Sequence, residues 1–197
     1  LLGLGGRQAR VRLTVKRSSK PSKKNSASEE TKSEADLDIS SVKSIESSAL
    51  NDEEKQNLMI TTTVVEELLK RMRVKATIDP RYVEPQDEKD RRVILVDIQG
   101  NDLSILIGRR SETLNALQYI ASLIVSKEAG KWVPMMIDVQ GYRERRDRQL
   151  RQLGRRMAEQ AIQSGRSQTL EPMPANERRI IHLELRDHDQ VFTESTG

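Results

Sequence analysis

The stretch LSILIGRRSETLNALQYIASLIV, residues 103–125, joins a short apolar segment to a longer helical one through the turn Gly108-Arg109-Arg110-Ser111. In the longer segment Leu114, Leu117, Ala121 and Ile124 recur at steps of three and four, the spacing of a helix buried along one face. The turn therefore sits at a helix N-terminus, where backbone N–H groups lack intrahelical partners and the helix dipole is positive. Arg109 and Arg110 add their guanidiniums to that field, so the local chemistry suits a chain of phosphates. Ser111 can cap the helix with its hydroxyl, and Glu112 suits the dipole in the first turn.

Outward from the turn, the flanking segments carry the periodicities of a small mixed domain. Leu58, Val64, Val65, Leu68, Leu69 and Met72 mark an amphipathic helix over 52–72, with Asp52 as its cap and Glu53 and Glu54 in its first turn. Residues 74–78 alternate as a strand that Asp79-Pro80 stops, and Pro85-Gln86-Asp87 lies in a polar loop. Residues 92–99 form a nearly continuous apolar run, which reads as a central strand covered on one side by helices. A short helix over 101–107, the long helix after Ser111, a stop at Ala129-Gly130 and a strand over 133–139 complete the series. The order is helix, strand, strand, helix, turn, helix, strand.

Order and turn together resemble the KH module in its prokaryotic, type II-like arrangement, over residues 52–140. The resemblance implies that Gly108, Arg109, Arg110 and Ser111 clamp the backbone of about four nucleotides. The family's turn usually reads Gly-Arg-Arg-Gly, so Ser111 is a departure. A Cβ here holds a nucleic-acid backbone slightly further away, whereas a hydroxyl offers it a donor.

After Gln140-Gly141 a further helix is expected over Tyr142–Ser164, stopped by Gly165. Its second half places Leu150, Leu153, Met157, Ala161 and Ile162 on one face. Its first half, YRERRDRQLR, sets Arg143, Arg145, Arg146, Arg148 and Arg151 against Glu144 and Asp147. Such a run is either a solvated, internally paired face or a basic surface for nucleic acid, for which Arg143 and Arg146 are the candidates. Residues 168–170 read as a short strand, and Pro172 and Pro174 turn the chain into a helix carrying Arg178 and His182. Four residues apart, these two share one helical face, with Ile181 and Leu185 on a neighbouring apolar edge. An arginine fork beside a hydrogen-bonding ring can hold a phosphate and touch or stack on a base.

NERRIIHLEL, followed by a polar turn and the strand-like Val191-Phe192-Thr193-Glu194-Ser195, resembles the R-three-H domain, a single-stranded nucleic-acid-binding module named for this Arg-x-x-x-His spacing. A KH module followed directly by an R-three-H module, behind a charged linker and a GLG-containing segment, resembles the bacterial Jag family, also called the SpoIIIJ-associated or KhpB family. The resemblance runs over 58–197, and LLGLGGRQARVRLTV is similar to the last strand of that family's N-terminal Jag domain.

The resemblance implies an α+β protein of two small domains, a KH domain over 52–140 and an R-three-H domain over 141–197 that lacks its C-terminal strand. These follow a disordered charged linker over 18–51 and a remnant of the Jag domain over 1–17. It also implies a cytoplasmic regulator that binds single-stranded RNA and acts on cell division, cell-wall synthesis or sporulation. A small KH-domain protein and the YidC/SpoIIIJ insertase are the implied partners, the second giving access to the membrane surface. The competing reading is an adaptor for that insertase or for the division machinery, with vestigial RNA binding.

Composition bounds these readings. With 3% aromatic and 32% charged residues, the 197-residue chain has too little apolar material to fold throughout. Residues 18–51, rich in Ser, Lys, Glu and Asp and without an apolar face, therefore read as the flexible linker. Before it, Val11, Leu13 and Val15 alternate as one strand, which is unstable alone; its partners precede residue 1, or the stretch is disordered. The basic run of Arg7, Arg10, Arg12, Lys16, Arg17, Lys20, Lys23 and Lys24 is a solvated tail or a steering patch for RNA or membrane. A net charge of +4 leans modestly toward acidic partners. The absence of cysteine excludes disulfides and thiolate metal sites, and no apolar run reaches membrane-spanning length. With two histidines and no P-loop, dinucleotide fingerprint or Ser-His-Asp order, the chain reads as a binding protein rather than an enzyme, with no catalytic residue, metal, cofactor or small-molecule substrate.

Overall fold

In the computed structural model, which describes residues 9–16, 45, 49–84 and 91–196, the apolar and polar periodicities resolve into eleven helices and strands. In chain order these are β1 (Arg10–Val15), α1 (Asp52–Arg71), β2 (Thr77–Val83), β3 (Val93–Gln99), α2 (Ser104–Ile107), α3 (Glu112–Ala129), β4 (Met135–Val139), α4 (Tyr142–Ser164), β5 (Gln168–Thr169), α5 (Ala175–Glu184) and β6 (Val191–Thr196). The described residues fall into two compact units, 45–144 and 9–16 with 145–196.

The first unit is built on β3. Its alternate residues Ile94, Val96 and Ile98 join Met135, Ile137 and Val139 of β4 in a core closed by Val65 and Leu69 of α1 and Leu114, Leu117, Ala121 and Val125 of α3. On the other face of the sheet Val83, Val93, Leu95 and Met136 form a second, smaller cluster. The strand order is β2-β3-β4, with β2 antiparallel and β4 parallel to β3, so the apolar run expected to be central is central.

Three local expectations are corrected here. The cap of α1 is Asn51, not Asp52. Asn51 Oδ1 accepts from the Glu54 amide at 2.8 Å while Glu54 Oε2 accepts from the Asn51 amide at 3.0 Å, a reciprocal box that satisfies two end donors. β2 does not stop at Asp79-Pro80 but runs through it to Val83. An edge strand tolerates proline because it has neighbours on one side only, and β2 is at the edge. Finally, the packed unit begins before residue 52: the Ile45 amide donates to Tyr82 O at 2.9 Å, and Leu50 is buried in the core. The remainder of the expected linker, the loop around residues 85–90 and the glycine-containing start lie outside the described residues.

In the second unit α4 supplies Leu150, Ala158 and Ala161, α5 supplies Ile181, and β1 and β6 supply Val11, Leu13 and Val191 to one core. β1 is the middle strand of the order β5-β1-β6, antiparallel to both neighbours. Local pattern leaves this strand with partners before residue 1 or disordered, and the Jag resemblance assigns it to a preceding domain. Here both partners lie more than 150 residues downstream, with Leu13 opposite Thr193 and Gln168. Pairing over that separation leaves no trace in local periodicity, whereas the buried alternation of Val11 and Leu13 does.

Candidate nucleic-acid interface

The turn before α3 is shaped by its first glycine. Gly108 has φ +68° and ψ −170°, a conformation essentially restricted to glycine. A Cβ added there would collide with the side chain of Thr113 and stand 3.0 Å from its backbone nitrogen. The glycine thus lets the turn close directly onto the start of α3. Arg109–Ser111 follow as a single 3-10 turn, in which Arg110 (φ 52°, ψ 44°) and then Ser111 (φ 63°, ψ 12°) are left-handed. Arg109 is exposed and Arg110 half-buried.

Ser111 behaves differently from both expectations. Its side chain makes no capping bond to α3, and the residue is only 6% exposed. Its hydroxyl instead donates to Tyr142 Oη at 3.1 Å. A left-handed N-cap explains the missing cap, since capping side chains work from extended backbone.

The arginine-rich helix is largely spoken for. Arg143 Nε donates to Ile137 O at 2.9 Å and its Nη2 to Gln118 Oε1 at 2.6 Å, while its amide is received by Asp138 Oδ1 at 3.1 Å. Burial pushes the Arg143 pKa below the ordinary arginine value, with Asp138 and Tyr142 opposing. Arg146 forks onto Glu177 with both bonds at 2.8 Å, and that carboxylate is 2% exposed. Arg151 bonds Asp147 and Glu184, and Arg155 also bonds Glu184. Burial raises the Glu184 pKa, but the bonds from Arg155 and Arg151 outweigh it and hold the carboxyl below its usual range. The guanidiniums of Arg143 and Arg146 are thus engaged by Ile137 O, Gln118 and Glu177, and a pairing within the run itself is that of Arg151 with Asp147. Arg145 and Arg148 are the exposed members.

Arg178 and His182 do stand together. On successive turns of α5 they reach β6: Arg178 Nε donates to Ser195 Oγ at 3.3 Å, and His182 Nε2 lies 3.0 Å from the same oxygen. Arg178 Nη1 also donates to Met173 O at 2.9 Å, and His182 Nδ1 lies 2.6 Å from Thr193 Oγ1. Burial, then the charge of Arg178, lowers the His182 pKa, so the ring is held toward its neutral form. The pair presents a cation beside a neutral ring that can donate or accept.

Against known families, residues 62–137 match the KhpA/KhpB KH domain and residues 148–197 match the R-three-H domain. The chain carries a KH domain of the KhpA/KhpB type and an R-three-H domain. It is 37% identical over 133 residues to the RNA-binding protein KhpB of Clostridium symbiosum, covering 68% of this chain and 58% of that protein. It is 34% identical over 112 residues to the RNA-binding protein KhpB of Bacillus subtilis (strain 168), covering 56% and 54%. The chain spans between half and three fifths of the length of these curated relatives.

The KH match contains the turn 108–111 and the R-three-H match contains Arg178 and His182. What pattern reading missed is the support of each motif: Tyr142 behind the KH turn, and Thr193 and Ser195 behind the R-three-H pair. The second was accessible from alternation, because Val191, Thr193 and Ser195 share one face of β6 and Val191 is buried. No helix among the described residues is long and apolar enough to cross a membrane.

Proposed function

We propose that this chain is a single-stranded-RNA-binding regulatory protein and not an enzyme. Its phosphate-binding elements are the Gly108–Ser111 turn, through Arg109 and Arg110, and the Arg178 and His182 face. The observation that carries this reading is the backbone of Gly108, closed against Thr113, which holds an exposed arginine at the positive end of α3. The printed names of the relatives, RNA-binding proteins KhpB, support the same ligand. The cellular role we attach to it is post-transcriptional control of cell division, cell-wall synthesis or sporulation, in the cytoplasm or at the membrane surface through a partner such as the YidC/SpoIIIJ insertase. This rests on the Jag resemblance alone.

The test uses the full chain and a labelled single-stranded RNA, titrated across a salt series. Replacing Arg109 and Arg110 together by Asp should remove most of the affinity without unfolding the protein, because neither belongs to the buried core and substitutions away from it typically change stability by about 0.5 kcal/mol or less. The slope of affinity against salt should also become shallower, by about 0.7 in log–log terms for each phosphate that is no longer neutralised. Binding that stays at the wild-type level would show that the turn does not touch RNA.

A protein partner with its own KH domain is the second reading. It is supported by Ile120 and Leu123, two large apolar side chains exposed three residues apart on α3. Replacing both with Lys should leave RNA affinity in place and abolish co-purification with such a partner.

A further inference from the structure

We propose that Tyr142 is a positioning residue for the RNA-binding turn, and that its hydrogen bond to Ser111 does the work that a glycine's conformational freedom does in a Gly-Arg-Arg-Gly turn. The inference rests on the RNA-binding reading above and names what holds that site in shape.

The starting point is a conformational cost. Arg110 and Ser111 are consecutive L-residues in the left-handed region, at φ 52° and 63°. Left-handed backbone brings Cβ close to the following carbonyl oxygen, so a side chain other than glycine is held there only when its surroundings over-determine it. For Ser111 they do. The residue is buried, it contributes no cap to α3, and its hydroxyl is bound at 3.1 Å to Tyr142 Oη.

Tyr142 in turn has little room to yield. Its ring packs against the core that β3, β4, α1 and α3 share. The next residue, Arg143, is fastened by its amide to Asp138 and by its guanidinium to Ile137 O and Gln118. Before it, Gln140 and Gly141 make a tight reversal with φ 52° and 70°, and Gln140 Nε2 donates to Gly100 O at 2.6 Å. The Tyr142 hydroxyl is therefore a fixed point, and Ser111 is tied to it. Releasing the tie lets Ser111 leave the left-handed region, carrying the directions of Arg109 and Arg110 with it. RNA binding would then carry the entropic cost of ordering the turn, which preorganisation otherwise avoids.

The test compares four versions of this chain, wild type, Tyr142→Phe, Ser111→Gly and the double variant, for binding to one labelled single-stranded RNA. Tyr142→Phe keeps the ring and removes the hydroxyl. It should weaken binding by about three- to tenfold, the worth of one net hydrogen bond. In the Ser111→Gly background the same change should move affinity by less than about twofold, the usual additivity error, because glycine needs no support there. In the free Tyr142→Phe protein, the amide coupling constant of Ser111 should depart from its left-handed value, a readout that a loss confined to overall stability does not produce. An equal loss in both backgrounds, or no loss in either, overturns the inference. The Arg109→Asp with Arg110→Asp protein separates the two levels. If it loses RNA while Tyr142→Phe does not, only the positioning role falls; if it binds like wild type, the RNA reading of the turn falls and this inference with it.

Discussion

Arg178 and His182 converge on one oxygen: the guanidinium Nε and the imidazole Nε2 lie 3.3 and 3.0 Å from Ser195 Oγ. The motif pair is thereby tied to β6 as well as to its own helix. Both residues are half-buried, each with one side on the strand and the other toward solvent. A change at either position acts on the α5 to β6 packing and on any ligand together, so loss of RNA binding alone does not show that the residue touches RNA.

Titration of His182 separates those roles. Its folded pKa lies below the ordinary value of 6.5, first through burial and then through Arg178. The unfolded chain therefore takes up a proton at higher pH than the folded one, and the unfolded state binds more protons between the two pKa values. The stability held by neutral His182 is complete above about pH 6.5 and is lost as pH falls through the folded pKa. Melting curves from pH 7.5 downward should show this loss, and His182→Gln should flatten it. A phosphate against the ring favours the charged form, so bound RNA should raise the pKa seen in the imidazole proton shifts. An unchanged pKa would place the phosphate elsewhere.

Arg146 should behave as a structural residue. It makes two charge-assisted bonds to a carboxylate that is 2% exposed, and removing one partner of such a pair typically costs about 3 kcal/mol or more. Arg146→Met should lower the melting temperature markedly, while Arg148→Met, at an exposed position, should stay within about 0.5 kcal/mol of wild type. Should the two variants melt alike, the pair on Glu177 is not holding α4 to α5.

These residues also mark how much the sequence disclosed. The bounds of α4, the central position of β3 and the placing of Arg178 beside His182 follow from periodicity and spacing, which are properties of one segment at a time. The role of the arginine row does not. YRERRDRQLR has one composition whether its cations face solvent or carboxylates, and for Arg146 and Arg151 the choice is made by Glu177 and Glu184, about thirty residues away on α5. The middle position of β1 and the Tyr142 support of Ser111 are likewise long-range pairings. The turn itself was legible as a motif, but the burial of Ser111 was not, because the sign of φ decides which way its side chain points.

Gly154, buried within α4, is a place where the protein can be stabilised. A Cβ there would meet Ile181 Cγ2 at 3.5 Å and Leu185 Cδ1 at 3.7 Å, ordinary contacts that add packing without overlap. Glycine inside a helix costs about 1 kcal/mol relative to alanine, so Gly154→Ala should raise the stability of the second unit by about that amount. Urea denaturation with an unchanged slope and a higher midpoint is the expected result. A lower midpoint would mean that α4 and α5 are packed more closely here than these distances indicate.

Gly108→Ala makes the opposite case. Two independent costs meet at this position: a backbone at φ +68° and ψ −170°, and a Cβ that would stand 2.7 Å from Thr113 Cβ and 3.0 Å from Thr113 N. Neither of those Thr113 atoms can be moved by a rotamer change, since both are fixed by the helix backbone. Relief must come from opening the turn, at a cost of about 1–3 kcal/mol for the backbone alone. Because the turn carries no core side chain except the buried Ser111, opening it should leave most of the β2-β3-β4 sheet and its helices intact. The expected protein is folded by circular dichroism, melts somewhat earlier, and binds single-stranded RNA at least about tenfold more weakly, as for the loss of more than one phosphate-directed bond. Wild-type affinity in a folded Gly108→Ala protein would show that RNA does not depend on the closed form of this turn.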